Sequence, residues 1–401
     1  MLDFDVAQSR LAAAGKRPVV AETCALHLAS GRVLARSVIA TLDLPPADNS
    51  AMDGYAIRFQ DYQPGLALDI QQRCFAGQQP DALQAGKATR LFTGSLLPDG
   101  ADTIIMQEDC SEADDRLTIN EAPLQGAHIR HRGEDVKQGD ILFNAGTRIG
   151  AAEIATLASQ GLASVEVYPQ LKIGILSTGD ELITPGLPLS SSAQIYNSNG
   201  PMLAAMADQL GADVVHVLHA ADTFDALHQA FTTLLADCDL VLTVGGVSVG
   251  EKDLVKPAIE QLGGSLDLWR VNMKPGKPVA LAYANDKPIV CLPGNPVSAF
   301  AVFTLLVSPL IRTMQGRSTC LPAVQYGTLS TQAPFHGTRE EFLRVQIRHT
   351  PQGSTVTPYM QQGSGIISSL AWASGFARIA PNTTAHNGDV VPYYDCQHWL
   401  V

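Results

Sequence analysis

Between about Leu171 and Met314 the chain alternates short apolar runs with helix-like segments, and nothing else restricts its fold as strongly. Lys172–Leu176, Asp213–Leu218 and Asp239–Val244 carry strand patterns, the last apolar and β-branched like a buried strand. Further strand patterns lie near Leu266–Val271, Val279–Tyr283 and Ile289–Leu292. One helix is predicted from Pro201 to Leu210, with Asn199 as its cap and Gly211 just past its end. A second runs from a cap at Asp222 to about Ala236, with Asp225 in the capping-box position. A third covers Asp253–Glu260 and ends at Gly263, and a last one begins after Pro296. Such alternation predicts a doubly wound α/β domain, a parallel sheet covered by helices, with ligands at the carboxyl ends of its strands. The loops 177–181, 219–222, 245–253 and 293–298 all follow strands, so a site is expected there.

The flanks read differently. Residues 1–44 and 137–168 are expected to form a discontinuous α+β domain, interrupted by a Pro- and Gly-rich, β-rich insert at 45–136. The central α/β domain then covers 169–316. From 321 to 401 the runs Phe342–Ile347, Ser354–Pro358 and Ala377–Ile379 alternate in strand fashion and predict a small β-barrel or sandwich.

Composition narrows the ligand classes. With 401 residues, 46% of them hydrophobic, the chain has material for several cores. Its net charge of -12 disfavours nucleic acid or an acidic membrane, so any anion has to be held by a local cluster of cations. The 7 cysteines are scattered without a C-x-x-C pair, as expected of reduced thiols in the cytoplasm. Met1–Asp5 is acidic where a signal peptide would be basic. The apolar run Ala299–Val307 is expected to stop at Ser308-Pro309, too short to span a bilayer.

Several stretches carry possible chemistry. Gly245-Gly246-Val247-Ser248-Val249-Gly250 joins a strand to a helix, an arrangement that leaves backbone N–H groups free for an anion, though it also serves as a plain tight connection. Asp253 offers a carboxylate at the same place, suited to Mg²⁺ beside phosphate oxygens. Lys274-Pro275-Gly276-Lys277-Pro278 sets two ammonium groups on a stiff loop, which suits a tetrahedral oxyanion or, more plainly, a solvated surface. Ser298, after Pro293-Gly294-Asn295-Pro296, either caps a helix or presents its hydroxyl to an anion. Asp180, Glu181 and Asp222 are further acidic candidates. Asp48–Tyr55, with Asp53, fits a self-bonding turn or a substrate loop, and Arg132–Asp135 is equally open. His128 and His131 have no partner ligands nearby in sequence and are expected at the surface.

Taken in order, these stretches resemble the molybdopterin molybdenumtransferases, the bacterial MoeA-type proteins and the related E domains of plant and animal enzymes, including gephyrin. Asp48–Ala56, Phe92-Thr93-Gly94, Pro98–Asp102, Gln107–Asp109, Arg132–Asp135, Ser177–Leu182, Asn197–Gly200, Gly245–Gly250 with Asp253, Lys274–Pro278, Pro293–Ser298, Glu341–Arg344 and Gly363-Ser364-Gly365 carry the likeness. The resemblance implies four domains, a homodimer, and insertion of molybdate into adenylylated molybdopterin with release of AMP and a requirement for Mg²⁺. It implies that Gly245, Gly246, Ser248 and Gly250 hold the adenylate phosphate, and that Asp222 and Asp253 lie near Mg²⁺. Lys274, Lys277, Ser298 and Arg344 would form the oxyanion site. Asp53, Asp135, Asp180, Glu181 and Ser364 match positions of the active cleft, with Asp53 and Asp135 reaching it in the other subunit. A molybdopterin adenylyltransferase and molybdoenzyme chaperones are possible partners in such a family. Val244 before the double glycine and Glu251-Lys252 before Asp253 depart from the pattern, which bears on affinity more than on reaction class. Rival readings are a molybdopterin adenylyltransferase using ATP, which the central stretch also resembles, and a non-catalytic dimeric scaffold.

Overall fold

The structure, a computed structural model, describes residues 1–246 and 254–401, apart from the side chains of 267–269. By internal packing these fall into two units. One comprises Met1–Arg36, Ala145–Ala155 and Ala163–Val401, and the other Ser37–Asn144 and Thr156–Leu162.

The first unit is built on a six-stranded sheet of Lys172–Thr178 (β1), Asp213–Ala220 (β2), Leu240–Val244 (β3), Ser265–Arg270 (β4), Pro278–Ala284 (β5) and Lys287–Leu292 (β6), in the order β2-β1-β3-β6-β5-β4. Central strands buried on both faces need apolar residues at successive positions, and β3 shows how they divide. Leu240, Leu242 and Val244 enter one core while Val241 enters the other. The first core packs beneath Phe4, Leu11, Leu203, Met206 and the helical segment after Pro296. The second packs against Leu227, Phe231, Leu234 and Ile259.

The sheet is mixed rather than all parallel. β2, β1, β3 and β6 run parallel, but β5 is antiparallel to both β6 and β4. The cause is local: Asn285 and Asp286, at φ 51° and 62°, make a two-residue hairpin turn, whereas a parallel partner needs a long crossover. Helix starts also shift. β2 continues to Ala220, so Thr223 rather than Asp222 caps the Phe224–Asp237 helix, its Oγ1 accepting from Ala226 N at 3.4 Å. Asn199 is the first helical residue, preceded by Ser198, and its Nδ2 donates to Gly294 O at 2.7 Å.

The apolar run after Pro296 does not stop at Ser308-Pro309. Helix Pro296–Val302 passes through a π-helical turn at Phe303–Val307 into helix Ser308–Met314. Pro309 has no N–H for the carbonyl of Leu305 one turn back, and buried Gln8 supplies the donor, Nε2 to Leu305 O at 2.7 Å. The 19-residue segment Pro296–Met314 is long and apolar enough to cross a membrane, but 89% of its apolar window is buried inside the protein, as in a core helix.

Five strands near the C-terminus, Glu340–Thr350, Gly353–Pro358, Gln325–Leu329, Val390–Asp395 and Gly375–Ile379, pair in that order and close from last to first into a barrel. Met273–Lys274 adds a short parallel strand to it, Lys274 opposite Glu341. The second unit carries another six-stranded sheet, in which Gly54–Ile57 lies between Thr103–Met106 and Lys87–Leu91. Its core includes Tyr55, Ile57, Leu68, Ile105 and Leu117.

Candidate functional site

Register brings the predicted loops to one edge. Ser177 lies opposite Val244, Val244 opposite Leu292 and Thr178 opposite Ala220, so the loops after β1, β2, β3 and β6 leave the sheet together. Because β5 runs the other way, its start at Pro278 lies at the same edge, and the lysine loop before it joins them.

At this edge Gly245 and Gly246 have φ of 95° and 62°. A Cβ on Gly245 would meet Thr178 O at 2.9 Å, and one on Gly246 would meet Val255 Cγ2 at 2.5 Å, so the turn admits only glycine. Ser248, Gly250 and Asp253, with the Glu251-Lys252 departure, lie outside the described residues.

A cleft of about 500 Å³ opens beside the turn, lined among others by Gly245, Gly246, Lys274, Lys277, Ser298 and Ser364. A second, of about 370 Å³, is lined by Thr178, Glu181, Asn197, Asn199 and Val244. Both clefts include Gly245, Gly294 and Asn295, so the glycine turn stands between a cationic lobe and a lobe whose charged lining residue, among the described residues, is Glu181. The structure thus brings together Gly245, Gly246, Lys274, Lys277, Ser298, Ser364 and Glu181.

The two lysines are not equivalent. Lys274 Nζ pairs with Glu341, whose side chain is 8% exposed against 49% for Lys274. Lys277 is exposed and has no salt bridge among the described residues. Ser298 sits in the first turn of its helix and is buried, while Asn295, the N-cap, makes no side-chain cap bond.

Arg344 does not itself line the cleft. It is fully buried, and its Nη2 donates to Gln361 O at 2.8 Å and Gly363 O at 3.2 Å. Burial without a carboxylate pushes its pKa below the ordinary value. Its backbone also exchanges bonds with Gln362, N to Oε1 at 3.0 Å and Nε2 to O at 3.1 Å. Arg344 therefore holds the carbonyls of Gln361 and Gly363 while its Nε and Nη1 have no hydrogen-bond partner among the described residues, and the arginine that lines the cleft is Arg339, which also donates to Met273 O at 3.2 Å. Sequence reasoning missed Arg339 and Gln362, and it named Asn295 only as part of the 293–298 loop. Arg339 stands next to Glu340-Glu341, and only the parallel pairing with Met273–Lys274 carries it to the lysines.

The acidic candidates separate into two groups. Asp222 N donates to Asp180 Oδ1 at 3.0 Å, and His219 Nε2 lies 2.9 Å from Gly179 O, so the loops after β1 and β2 hold each other. Among the described residues no group of three or more His, Cys, Asp or Glu is arranged to hold a metal. In the second unit Asp53 Oδ1 accepts from Thr93 N and Thr93 Oγ1, each at 2.7 Å. Those bonds, the backbone one first, hold its carboxyl below the ordinary 3.8. Asp135 is exposed and ties its backbone N–H to Leu44 O at 3.0 Å. His131 is also exposed, with Nδ1 3.2 Å from Asp48.

Comparison with known proteins agrees in order along the chain. Residues 2–161 match the family model for the MoeA N-terminal region (domain I and II), 174–313 a probable molybdopterin binding domain, and 326–396 the MoeA C-terminal region (domain IV). A molybdopterin molybdenumtransferase of Haemophilus influenzae is 38% identical over 333 residues, 82% of each chain. Molybdopterin molybdenumtransferase 2 of Mycobacterium tuberculosis is 35% identical over 374 residues, 90% of this chain and 91% of its own. The crystal structure of a molybdopterin biosynthesis moeA protein from Pyrococcus horikoshii OT3 superposes with a TM-score of 0.83 at 26% identity, covering 98% of this chain and 99% of that one. Matched through its N-terminal, central and C-terminal regions and by relatives of nearly its whole length, the chain belongs to the MoeA family.

Proposed function

We propose that this protein inserts molybdate into adenylylated molybdopterin and releases AMP, the last step in making the molybdenum cofactor. Family membership supports the reaction, and one observation carries it to the site. An otherwise acidic chain gathers Lys274, Lys277 and Arg339 into one cleft beside a glycine turn at the carboxyl edge of its sheet. Molybdate is a tetrahedral dianion and needs fixed cations, while the pyrophosphate of the adenylylated pterin needs backbone N–H groups.

In this reading Lys274, Lys277 and Arg339 bind the oxyanion, and Ser298 and Ser364 supply neutral donors. Arg344 fixes the 361–364 loop through its two carbonyl contacts. Gly245 and Gly246, with Ser248 and Gly250, hold the adenylate phosphate, and the lobe edged by Glu181 takes the organic part of the substrate. An oxygen from molybdate or water attacks the adenylyl phosphorus and the P–O bond of the pyrophosphate breaks. AMP leaves carrying the attacking oxygen, and the two thiols of the pterin bond to molybdenum, displacing oxygen that takes their protons and departs as water, so that one water is released per turnover overall. No covalent bond to the protein is required.

Asp222 and Asp180, together with Asp253 of the glycine loop, are the residues that would hold a Mg²⁺, a hard cation that takes oxygen ligands. The Asp222 N–H···Asp180 bond brings two carboxylate-bearing residues to one loop corner. When bound, the ion would offset charge on the pyrophosphate. We further propose a homodimer in which Asp53 and Asp135 of each chain serve the cleft of the other. The free thiols of all 7 cysteines support a cytoplasmic setting.

Single-turnover release of AMP from adenylylated molybdopterin tests the reading. Release that depends on molybdate, with metal appearing on the pterin, is the expected result. Formation of the adenylylated pterin from ATP instead would favour an adenylyltransferase, a reading the matched N- and C-terminal regions do not support. Absence of adenylate binding would favour a scaffold.

A further inference from the structure

The cationic lobe holds a buried negative charge that the reaction does not require. Glu341 comes from the barrel strand Glu340–Thr350, which the pairing of Met273–Lys274 with Glu340-Glu341 draws up to the lysine loop. Its Oε1 meets Lys274 Nζ, and its side chain is 8% exposed. A Cβ on Gly337 would lie 3.1 Å from the same oxygen, so the backbone closes over the carboxylate. A buried carboxylate this close to one ammonium does not part from it readily, because separation would strand the charge away from water. Lys274 therefore keeps Glu341 when an oxyanion enters and offers its remaining N–H donors to the cleft, an ammonium having three.

Charge then follows by addition. Among the described residues the lobe carries the cations Lys274, Lys277 and Arg339, offset by the carboxylate of Glu341. Arg344, bonded to Gly363 of the cleft wall and without a carboxylate partner, adds a fourth cation, so four positive charges less one negative leave three, and without Glu341 the lobe would carry four. Resting on the oxyanion reading above, we propose that Glu341 is a specificity-determining residue, which lowers the lobe's positive charge and so favours a dianion over more highly charged anions. Without it the lobe would attract every anion more strongly, and the gain would grow with ligand charge, since Coulomb energy is proportional to it.

The test is binding of molybdate, sulfate and pyrophosphate by calorimetry to the full chain and to Glu341→Gln, a near-isosteric change whose oxygen still accepts from Lys274. Glu341→Gln is expected to tighten molybdate and sulfate by about threefold or more and pyrophosphate by about tenfold or more. The double variant Lys274→Gln with Glu341→Gln restores the net charge of the unmodified lobe and is expected to return the pyrophosphate-to-molybdate ratio towards that of the unmodified protein. Unchanged ratios in Glu341→Gln, or equal weakening of all three anions, would overturn the inference and leave Glu341 a tether alone. If the unmodified protein binds neither molybdate nor sulfate, the oxyanion reading itself falls and takes this inference with it.

Discussion

Lys274→Ala and Lys277→Ala remove the same charge from the same loop, yet the structure predicts different consequences for stability. Lys277 is exposed and has no salt bridge among the described residues, so its loss changes folding by less than about 0.5 kcal/mol. Lys274 is the partner of Glu341, whose side chain is 8% exposed. Removing one member of a fully buried pair costs roughly 3–5 kcal/mol. Lys274 itself is 49% exposed, which lets solvent screen part of the pair and reduces the expected cost to about 1–3 kcal/mol. With a urea slope of about 3 kcal/mol/M, the unfolding midpoint should fall by about 0.3–1 M. Tryptophan fluorescence suits the assay, because all 3 tryptophans, at 269, 372 and 399, belong to the unit that holds the pair. Glu341→Gln in the Lys274→Ala background removes the stranded charge and should recover most of the loss. Equal midpoints for Lys274→Ala and Lys277→Ala, or no recovery in the double variant, would refute the reasoning. Activity lost in Lys274→Ala has to be read against this stability change, whereas loss in Lys277→Ala reports on ligand binding directly.

Three other perturbations follow from named contacts. Gln8→Leu keeps apolar packing but leaves Leu305 O without the donor Pro309 cannot give, and thermal or urea unfolding should show a loss of about 1–3 kcal/mol. Gly246→Ala places a Cβ 2.5 Å from Val255 Cγ2 at φ 62° and should weaken both stability and adenylylated-pterin binding, with Val255→Ala in the same chain relieving part of the clash. Asp53 has a folded pKa below 3.8, so its bonds to Thr93 stabilise the fold above that pH, and the contribution disappears as pH falls through the lower folded value. Acid titrations of the unmodified protein and Asp53→Asn, followed by circular dichroism, should differ above about pH 4 and converge below it; parallel curves throughout would contradict the assigned bonds.

The alternation of β-branched runs and helical segments between 171 and 314 determined a layered α/β domain, because each strand buried on both faces needs apolar residues at successive positions and each helix needs an apolar stripe. The Gly245-Gly246 turn was legible for a similar reason, since it follows a strand and only glycine takes its backbone angles against Thr178 and Val255. The hairpin at Asn285-Asp286 was also written in the chain, and it outweighs the alternation that suggested an all-parallel sheet. Reading past Pro309 required Gln8, which lies 297 positions from the Leu305 carbonyl that it bonds.

The site divides along the same line. Lys274 and Lys277 stand out locally as paired cations on a proline-bounded loop, but their difference does not, because Glu341 reaches Lys274 only through the strand pairing of the barrel with residues 273–274. Arg344 and Arg339 are both arginines of one segment, and the family resemblance pointed to Arg344 alone. Tertiary packing buries the first against the carbonyls of Gln361 and Gly363 and leaves the second lining the cleft. Local patterns determined which residue types were available at the strand ends. Long-range packing decided which of them face the ligand and which charges are compensated, because burial and ion pairing depend on what lies across space rather than on neighbours along the chain.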